Sequence, residues 1–583
     1  MKNRIFLIVV MILTLLVNFS SCSTKINNDV EAEDTLSNLE KIDDWEFSYA
    51  YEEVDMPSYR TSTAAPSLAM SGSANDDGEA LGFSVGGAKD INNFRDNIEN
   101  DYLPIPTDIT VEGIYYDYYF DTGQDEPCEG LFCPSYSYAV SHDPFTGEEV
   151  YYLSVGLNSG LKESDFERKK LNLVIVLDIS GSMSSPFDEY YYDNYGNMVE
   201  VELSEEDRGR SKMDIACQAI VDLLGHLEEG DRFGMVLFDD QGYLAKPMRL
   251  VAATDMESIK EHILELEPMG GTNMSAGMSL GTELYQEYLD VDREEYENRI
   301  IFLTDAMPNT GETSEGGLLG MLRNNSEEGI YTTFIGIGLD FNTELTEYIT
   351  KTKGANYYSV HSTEEFSERM DEGFEFMVTP LVFGLELVLE AEGYDIEEVY
   401  GSPSADEATG EIMNVSTLFP SKTEGGETKG GLVLLRLKKT SDDAEIALRV
   451  SYEDRAGEVF EVRDEVSFEV SGEGDYYEND GIRKGILLAR YVELMKAWLV
   501  DERAEGEYLG TEPLVSTESG IVVLDDDLFE LGRWERQSMP LTVSTNYMEL
   551  FEDFHDYFES EAEAIGDETL NGELEILRKL IEM

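Results

Sequence analysis

Basic residues are scarce in this chain, whose 583 residues include 41 Lys and Arg against 122 Asp and Glu, a net charge of −81. A field of that sign repels phosphate backbones and anionic lipid headgroups, so we exclude nucleic acid as a partner. Histidine is also sparse, with 5 scattered residues. The chain lacks a G-x-x-x-x-G-K-[ST] phosphate loop and an H-E-x-x-H motif. We therefore expect a protein that is not an enzyme.

Long hydrophobic runs are absent after the amino terminus, where two basic residues precede the apolar run Ile5–Val17 and the sequence NFSSC. No later segment approaches the ~20 apolar residues of a membrane helix. The layout is that of a secretory signal, and it resembles a bacterial lipoprotein signal in which Cys22 is the lipidated first residue. We predict a signal peptide at residues 1–21 and a membrane-anchored lipoprotein at the cell envelope or surface. A plain cleaved signal is the alternative.

Cysteine is rare as well, with 4 residues in the whole chain. Cys128 and Cys133, in PCEGLFCP, are close enough in sequence to form a local disulfide in an oxidising compartment. A single pair with no second pair of cysteines or histidines nearby is a poor zinc site. Cys217 lies on the apolar stripe of a predicted helix, so we expect a buried thiol.

Composition divides the chain into segments on either side of a central region. Residues 22–83 are acidic and then rich in Ser, Ala and Gly, which is typical of a flexible tether. Residues 84–166 have strand character with dense tyrosine, as in GIYYDYYFD, and predict a small β-rich flanking domain. Residues 381–472 predict a β-sandwich-like domain, and residues 473–583 a helical region.

The central region, residues 167–380, alternates short apolar strands with amphipathic helices. LNLVIVLD, DRFGMVLF, NRIIFLTDA and YTTFIGIGL are predicted strands, separated by helices such as KMDIACQAIVDLLGHLE and SAGMSLGTELYQEYL. Continuous apolar runs are what a sheet covered on both faces requires. The alternation therefore predicts an α/β fold with a doubly wound, mostly parallel sheet.

Oxygen-bearing side chains follow three elements of this predicted sheet. Asp178 ends LVIVLD and is followed by Ser180 and Ser182, Asp305 follows RIIFLT, and Thr272 lies in the loop GGTNMS. Ligands of doubly wound sheets bind outside the carboxyl ends of the strands. An all-oxygen set of this size fits Mg²⁺, with Mn²⁺ or Ca²⁺ as alternatives. Capping of the following helices is the competing explanation for the hydroxyls.

The D-x-S-x-S element, the distant threonine and the second aspartate resemble the von Willebrand factor type A domain and its metal-ion-dependent adhesion site. The flanking segments look like those of bacterial surface lipoproteins that carry this domain between short amino-terminal and carboxy-terminal domains. The resemblance implies that Asp178 and Asp305 act largely through water, while the hydroxyls coordinate the metal directly. It also implies a protein or extracellular-matrix partner that presents a carboxylate.

One departure from that family is an acidic, tyrosine-rich insertion at residues 184–211. It stands between the D-x-S-x-S element and the helix that begins KMDIA. We expect a solvated excursion, with two alternatives: a recognition loop, or a second cation site through Asp188, Asp193, Asn194 and Asn197.

Three functional hypotheses follow from these patterns. The first is an envelope-anchored binding or adhesion protein that captures its ligand through the metal. The second is an envelope structural or assembly protein that uses the metal site in cis. The third, a metal-assisted hydrolase, needs a base. The nearest acid pair, Asp239 and Asp240, is expected to form a solvated turn.

Overall fold

The computed structural model describes residues 39–49, 80–87, 91–124, 128, 130–185, 189–192, 198–200, 210–289, 293, 295–306, 317–338, 343–401, 412–441, 445–466, 474–508 and 539–583. The predicted signal peptide with Cys22 lies outside these residues, as do Asp188, Asp193, Asn194 and Asn197 of the insertion. Within the described part of the chain, no helix has the length and apolar character needed to cross a membrane.

The strands, in chain order, are β1 (Ala80–Val85), β2 (Tyr119–Phe120), β3 (Cys133–His142), β4 (Glu149–Lys162), β5 (Lys170–Asp178), β6 (Glu189–Tyr192), β7 (Met198–Glu200), β8 (Arg232–Phe238), β9 (Gly242–Leu250), β10 (Tyr296–Thr304), β11 (Ile330–Ile337), β12 (Asn356–Val360), β13 (Val382–Glu392), β14 (Tyr394–Tyr400), β15 (Ile412–Ser421), β16 (Thr423–Glu424), β17 (Glu427–Lys429), β18 (Leu432–Lys439), β19 (Glu445–Asp454), β20 (Val459–Val466) and β21 (Tyr476–Tyr477).

The α-helices are α1 (Ile91–Glu99), α2 (Val111–Asp117), α3 (Lys212–Leu223), α4 (Met256–Leu264), α5 (Met274–Glu283), α6 (Leu318–Glu327), α7 (Thr343–Thr350), α8 (Thr363–Ser367), α9 (Phe374–Val378), α10 (Asp480–Tyr508), α11 (Thr545–Ile565) and α12 (Asn571–Ile581).

The central region folds around a six-stranded sheet with the order β12, β11, β10, β5, β8, β9. Neighbouring strands are parallel except β9, which runs antiparallel to β8 at the edge. The sequence did not predict β9. Pro247 lies within this strand, and proline argues against a strand except at the edge of a sheet. The doubly wound, mostly parallel α/β fold is confirmed.

Both faces of this sheet are buried, because alternate side chains of each strand point to opposite faces. On β5, Leu173 and Ile175 belong to the apolar cluster that includes residues of α3, α4, α8 and α9. Val174 and Val176 belong to the opposite cluster, with residues of α5, α6 and α7. The sheet therefore lies between two layers of helices, and its carboxyl edge is free to form a site.

A second, ten-stranded sheet is built from both flanking regions together. Its main path is β14, β18, β4, β1, β15, β13, β19, β20; off this path, β3 pairs with β4 and β21 pairs with β3. Gly82 of β1 pairs with Ser421 of β15, and Gly156 of β4 pairs with Leu432 of β18. The two flanking domains predicted separately, at residues 84–166 and 381–472, thus share one sheet. Local patterns did not reveal this, because the paired strands are far apart in sequence.

Each face of this second sheet contributes to a different core. Val433 and Leu435 of β18 pack in a cluster that draws on strands from across the sheet. Leu432 and Leu434 face instead a cluster of helical residues from α1, α2, α10, α11 and α12, in which Trp498 is fully buried. The carboxy-terminal helices therefore pack on the sheet.

The segment GIYYDYYFD, predicted as a strand, instead spans the end of α2 and the short β2. Thr110 caps α2, because its side chain accepts a hydrogen bond from the backbone N of Gly113 at 3.0 Å. Tyr115 is buried in the helical core. Capping and burial outweigh the β propensity of the tyrosines.

Residues 39–49, predicted as part of the flexible tether, lie along the β9 edge of the central sheet, and we call them the edge segment. The backbone N of Glu46 donates to Ala245 O at 2.8 Å, and that of Ile42 donates to Ala253 O at 3.2 Å. β1, which starts at Ala80, also belongs to a sheet. The tether prediction for residues 22–83 is therefore wrong at both of these places.

Cys128 and Cys133 form a disulfide, with their Sγ atoms 2.03 Å apart and their Cα atoms 5.8 Å apart. This bond closes the loop that leads into β3. Cys217 is a free, buried thiol on α3, and its Sγ lies 3.6 Å from the sulfur of Met213. Burial raises the pKa of the Cys217 thiol, so a reactive role is disfavoured.

Candidate metal site

Asp178 ends β5, near the middle of the central sheet, and its side chain is fully buried. Its Oδ1 accepts a hydrogen bond from the backbone N of Ser180 at 2.8 Å. Its Oδ2 accepts one from Thr304 Oγ1 at 2.6 Å. Thr304 ends the neighbouring strand β10, so groups on both strands fix this carboxylate.

Ser180, Ser182 and Asp305 form a connected set beside it. Ser180 Oγ lies 3.1 Å from Ser182 Oγ, and Ser182 Oγ donates to Asp305 Oδ1 at 2.7 Å. Ser182 lies on the short 3-10 turn that follows β5, Ser180 directly precedes that turn, and Asp305 comes directly after β10. With Asp178, the structure brings four of the five predicted residues into one hydrogen-bonded network, which we call the rim.

Thr272, the fifth predicted residue, lies in the loop that precedes α5, and its side chain is exposed. The backbone N of Gly181, between the two rim serines, donates to Gly270 O at 3.1 Å. Gly270 has a φ of +70°, and a Cβ at this position would lie 2.4 Å from Asp239 Oδ2. Glycine is therefore required for the loop to approach Asp239 this closely.

Helix capping does not explain these hydroxyls. α3 is capped by Ser211 and α5 by Asn273, each through its side-chain oxygen. Ser180 makes no side-chain capping bond to the turn that follows it. The capping alternative is therefore wrong for Ser180 and Thr272.

The rim carries negative charge that the protein compensates only in part. The pKa of Asp178 is raised from 3.8 to about 7, first by burial and then by the charge of Asp305. Lys212 Nζ lies 3.2 Å from Asp305 Oδ2, and Lys212 is itself 7% exposed. One ammonium group beside two carboxylates leaves a deficit of positive charge, which a divalent cation would remove.

The donor set fits a hard divalent cation such as Mg²⁺, because all its ligating atoms are oxygens. Only two of its members are acids, and among the described residues no three or more His, Cys, Asp and Glu side chains group as a metal site. The three hydroxyls would add neutral ligands. A cation held here would therefore keep much of its positive charge for an incoming anionic group.

Three neighbours of the rim were missed in the sequence: Thr304, Lys212 and Asp239. Asp239, expected in a solvated turn, is only 4% exposed and accepts hydrogen bonds from Gln241 N at 3.0 Å and Tyr243 Oη at 3.2 Å. The expectation for Asp239 is wrong, because the glycine loop packs on it. Their positions in the sequence could have indicated Thr304 and Asp239, because both lie where strands of this sheet edge end.

The sequence GMSLG, residues 277–281, has the G-x-S-x-G spacing of a hydrolase nucleophile elbow. Such an elbow requires a sharp turn between a strand and a helix. Here the five residues lie within α5, where Gly277 packs on Phe238 and Gly281 on Val176. The two glycines therefore allow the helix to approach the sheet closely.

The fold and the rim define a class: a doubly wound α/β domain with a set of oxygen-bearing side chains at the carboxyl edge of its sheet. Residues 172–372 match the family model of the von Willebrand factor type A domain. The chain therefore contains a von Willebrand factor type A domain, as the sequence predicted.

Curated relatives match part of the chain. Inter-alpha-trypsin inhibitor heavy chain H4 of Homo sapiens is 23% identical over 232 residues, which are 39% of this chain and 22% of that protein. Inter-alpha-trypsin inhibitor heavy chain H1 of Mesocricetus auratus is 24% identical over 222 residues, 37% of this chain and 21% of that protein. The chain thus spans about a fifth of the length of these relatives.

Among solved structures, the ArnB paralog VWA2 from Sulfolobus acidocaldarius is 13% identical with a TM-score of 0.35, covering 78% of this chain and 98% of that one. Proximal thread matrix protein 1 from the mussel byssus, solved with a zinc-occupied MIDAS motif, is 19% identical with a TM-score of 0.25, covering 36% of this chain and 46% of that one.

Proposed function

We propose that this chain is an envelope-anchored adhesion protein that captures a protein or matrix ligand through a divalent cation at the rim. Mg²⁺ is the proposed cation, with Mn²⁺ and Ca²⁺ as alternatives, and its ligands are Asp178, Ser180, Ser182, Thr272 and Asp305. The observation that supports this proposal is the convergence of Asp178, Ser180, Ser182 and Asp305 at one edge of the sheet, where burial and then the charge of Asp305 raise the pKa of Asp178.

The rim residues and their neighbours have two roles: some supply negative charge, and others hold the charged groups in position. Asp178 and Asp305 supply the negative charge that retains a cation. Thr304 and the backbone of Ser180 hold the Asp178 carboxylate, and Lys212 holds that of Asp305. When bound, the cation supplies a Lewis acid to which a carboxylate of the partner can bind.

The proposal assigns binding rather than catalysis. The rim consists of two acids and two serines, and the neighbouring Lys212 is paired with Asp305. None of these groups is positioned as a free general base. Anchoring at the envelope rests on the amino-terminal sequence, through Cys22.

Titration calorimetry with Mg²⁺ and Mn²⁺ tests the site. Asp178→Ala should abolish metal binding, because it removes one of two anions. Ser182→Ala should weaken binding less, because water can replace a neutral hydroxyl. Thr272→Ala should resemble Ser182→Ala in metal affinity yet reduce ligand capture more. Unchanged metal binding in a folded Asp178→Ala protein would refute the proposal.

Pull-down from the native envelope, with and without EDTA, tests the ligand. A partner that is lost on chelation supports capture. A change in protease sensitivity on chelation, with no partner lost, would instead support the structural role in cis.

A further inference from the structure

The edge segment ends beside the loop that carries Thr272. Tyr49 Oη donates a hydrogen bond to Glu267 O at 2.8 Å. The backbone N of Glu267 donates in return to the Tyr49 hydroxyl oxygen. Tyr49 therefore holds both backbone groups of Glu267, five positions before Thr272.

The same loop is fixed to the rim a few residues further on. The backbone N of Met269 donates to Ile179 O at 2.6 Å, and that of Gly181 donates to Gly270 O at 3.1 Å. Ile179 and Gly181 alternate with the rim residues of the D-x-S-x-S element. A displacement of the loop at Glu267 would consequently be transmitted to the backbone of that element.

The edge segment is held in place by a buried ion pair. Asp44 Oδ1 lies 3.3 Å from Lys246 Nζ, and Asp44 Oδ2 accepts from Arg249 Nε at 2.7 Å. The Lys246 side chain is 0% exposed and that of Asp44 is 7% exposed. Removing the carboxylate would leave a buried ammonium group without its counter-charge, so this contact favours the docked segment.

Aromatic contacts form a second route from the edge segment to the loop. Phe47 packs edge-on against Tyr243, with ring centroids 5.4 Å apart. Tyr243 Oη donates to Asp239 Oδ2 at 3.2 Å, and the Asp239 carboxylate packs on Gly270. The glycine turn before Thr272 is therefore supported from two sides.

We propose that the edge segment positions the Thr272 loop for cation binding, with Tyr49 as its principal positioning residue. The proposal rests on the proposed function of the rim. It also explains the position of residues 39–49, which lie between the predicted anchor and the second sheet and end directly beside the Thr272 loop. Detachment of the segment would loosen the loop and weaken the site.

The test is a Mn²⁺ titration of the full chain carrying Tyr49→Phe, which removes only the hydroxyl. We expect Mn²⁺ affinity to fall by roughly three- to tenfold, on the order of the loss of one or two hydrogen bonds. The melting temperature should change little, because the ring remains in place. Tyr547→Phe is the matched control: it removes a hydroxyl that donates to Asp501 Oδ2 at 2.6 Å in the helical region. It should leave Mn²⁺ affinity unchanged.

A second variant, Asp44→Asn with Trp45→Ala, releases the segment by removing its ion pair and the stacking of Trp45 on His262. It should weaken Mn²⁺ binding at least as much as Tyr49→Phe. Hydrogen exchange measured by mass spectrometry should show the Glu267 amide exchanging at least about tenfold faster in both variants.

The outcomes separate this proposal from the function on which it rests. If the unchanged chain fails to bind Mn²⁺, both the site and the role of the segment in it are overturned. If the unchanged chain binds Mn²⁺ and both variants bind it equally well, the positioning role alone is overturned.

Discussion

Replacing Asp178 by asparagine should stabilise the metal-free von Willebrand factor type A domain at pH 8 while it abolishes cation binding. The side chains have nearly the same shape. The introduced amide oxygen can accept from the backbone N of Ser180, and the introduced NH₂ group can donate to Thr304 Oγ1, because a hydroxyl both donates and accepts. The variant therefore loses the charge and keeps the contacts.

The magnitude follows from the pKa of Asp178, which is raised from 3.8 to about 7. A difference of about three units corresponds to about 4 kcal/mol of unfavourable free energy for the ionised folded form. Folding takes up a proton at Asp178 between about pH 4 and pH 7, so the contribution of this group to the free energy of unfolding falls as pH rises through that window and is constant above it. We expect Asp178→Asn to gain about 2 to 4 kcal/mol at pH 8, and less than half as much at pH 5, which lies inside the window.

The assay is urea unfolding in EDTA at pH 5 and pH 8, followed by pulsed hydrogen exchange of peptides from β5 and β8, which report this domain alone. Saturating Mg²⁺ should remove most of this difference at pH 8. The unchanged protein gains about 2.7 kcal/mol at a hundredfold excess over Kd, and the variant gains nothing. Asp231→Asn is the control: this buried carboxylate is paired with Arg168 at 2.7 Å, so its neutralisation should destabilise the domain at pH 8.

Two results would refute this reasoning. One is a metal-free Asp178→Asn protein that is less stable than the unchanged protein at pH 8. The other is a gain of the same size at pH 5 and pH 8, which would mean that ionisation of Asp178 is not its source.

Three further predictions concern other parts of the chain. Thr304→Val removes the hydroxyl that donates to Asp178, so calorimetry should show Mn²⁺ affinity falling about tenfold at pH 7 and recovering partly at pH 9. An affinity that does not change with pH would contradict this. Mass spectrometry of exported, unreduced protein should detect one link between Cys128 and Cys133 and a free Cys217. Alkylation of both loop thiols without reduction would show that the disulfide is absent. Palmitate-analogue labelling should mark the chain and disappear in Cys22→Ala; label that persists in the variant would exclude lipidation at Cys22.

The central fold and the rim could be predicted because their signals are local. Each strand of the central sheet that carries a rim residue is a short, continuous apolar run, and Asp178 and Asp305 follow such runs directly. Parallel strands bring their carboxyl ends to one edge, so position in sequence was enough to place these residues together. Lys212 was harder to predict, because its contact with Asp305 depends on how α3 packs against the sheet.

The edge segment and the shared sheet could not be predicted, because both depend on distant partners. Residues 39–49 are acidic, and their alternation of aromatic and polar residues is confined to the last five positions. They are held by Lys246, Tyr243 and Glu267, about 200 positions away. The pairing of β1 with β15 likewise joins strands on opposite sides of the central domain. Composition indicates how exposed a segment is expected to be, but not which distant edge it will cover.

The shared sheet has a consequence for how the chain folds as it is made. β1, β3 and β4 emerge early, but β1 and β4 find their partners β15 and β18 only after the whole central domain has been synthesised. At about 5 to 20 residues per second, those early strands wait tens of seconds with unpaired edges. The central domain, whose six strands pair within one continuous stretch of chain, can fold during that interval and bring the two halves of the outer sheet together. A chain that stalls before β15 would carry a folded central domain and an incomplete, aggregation-prone sheet.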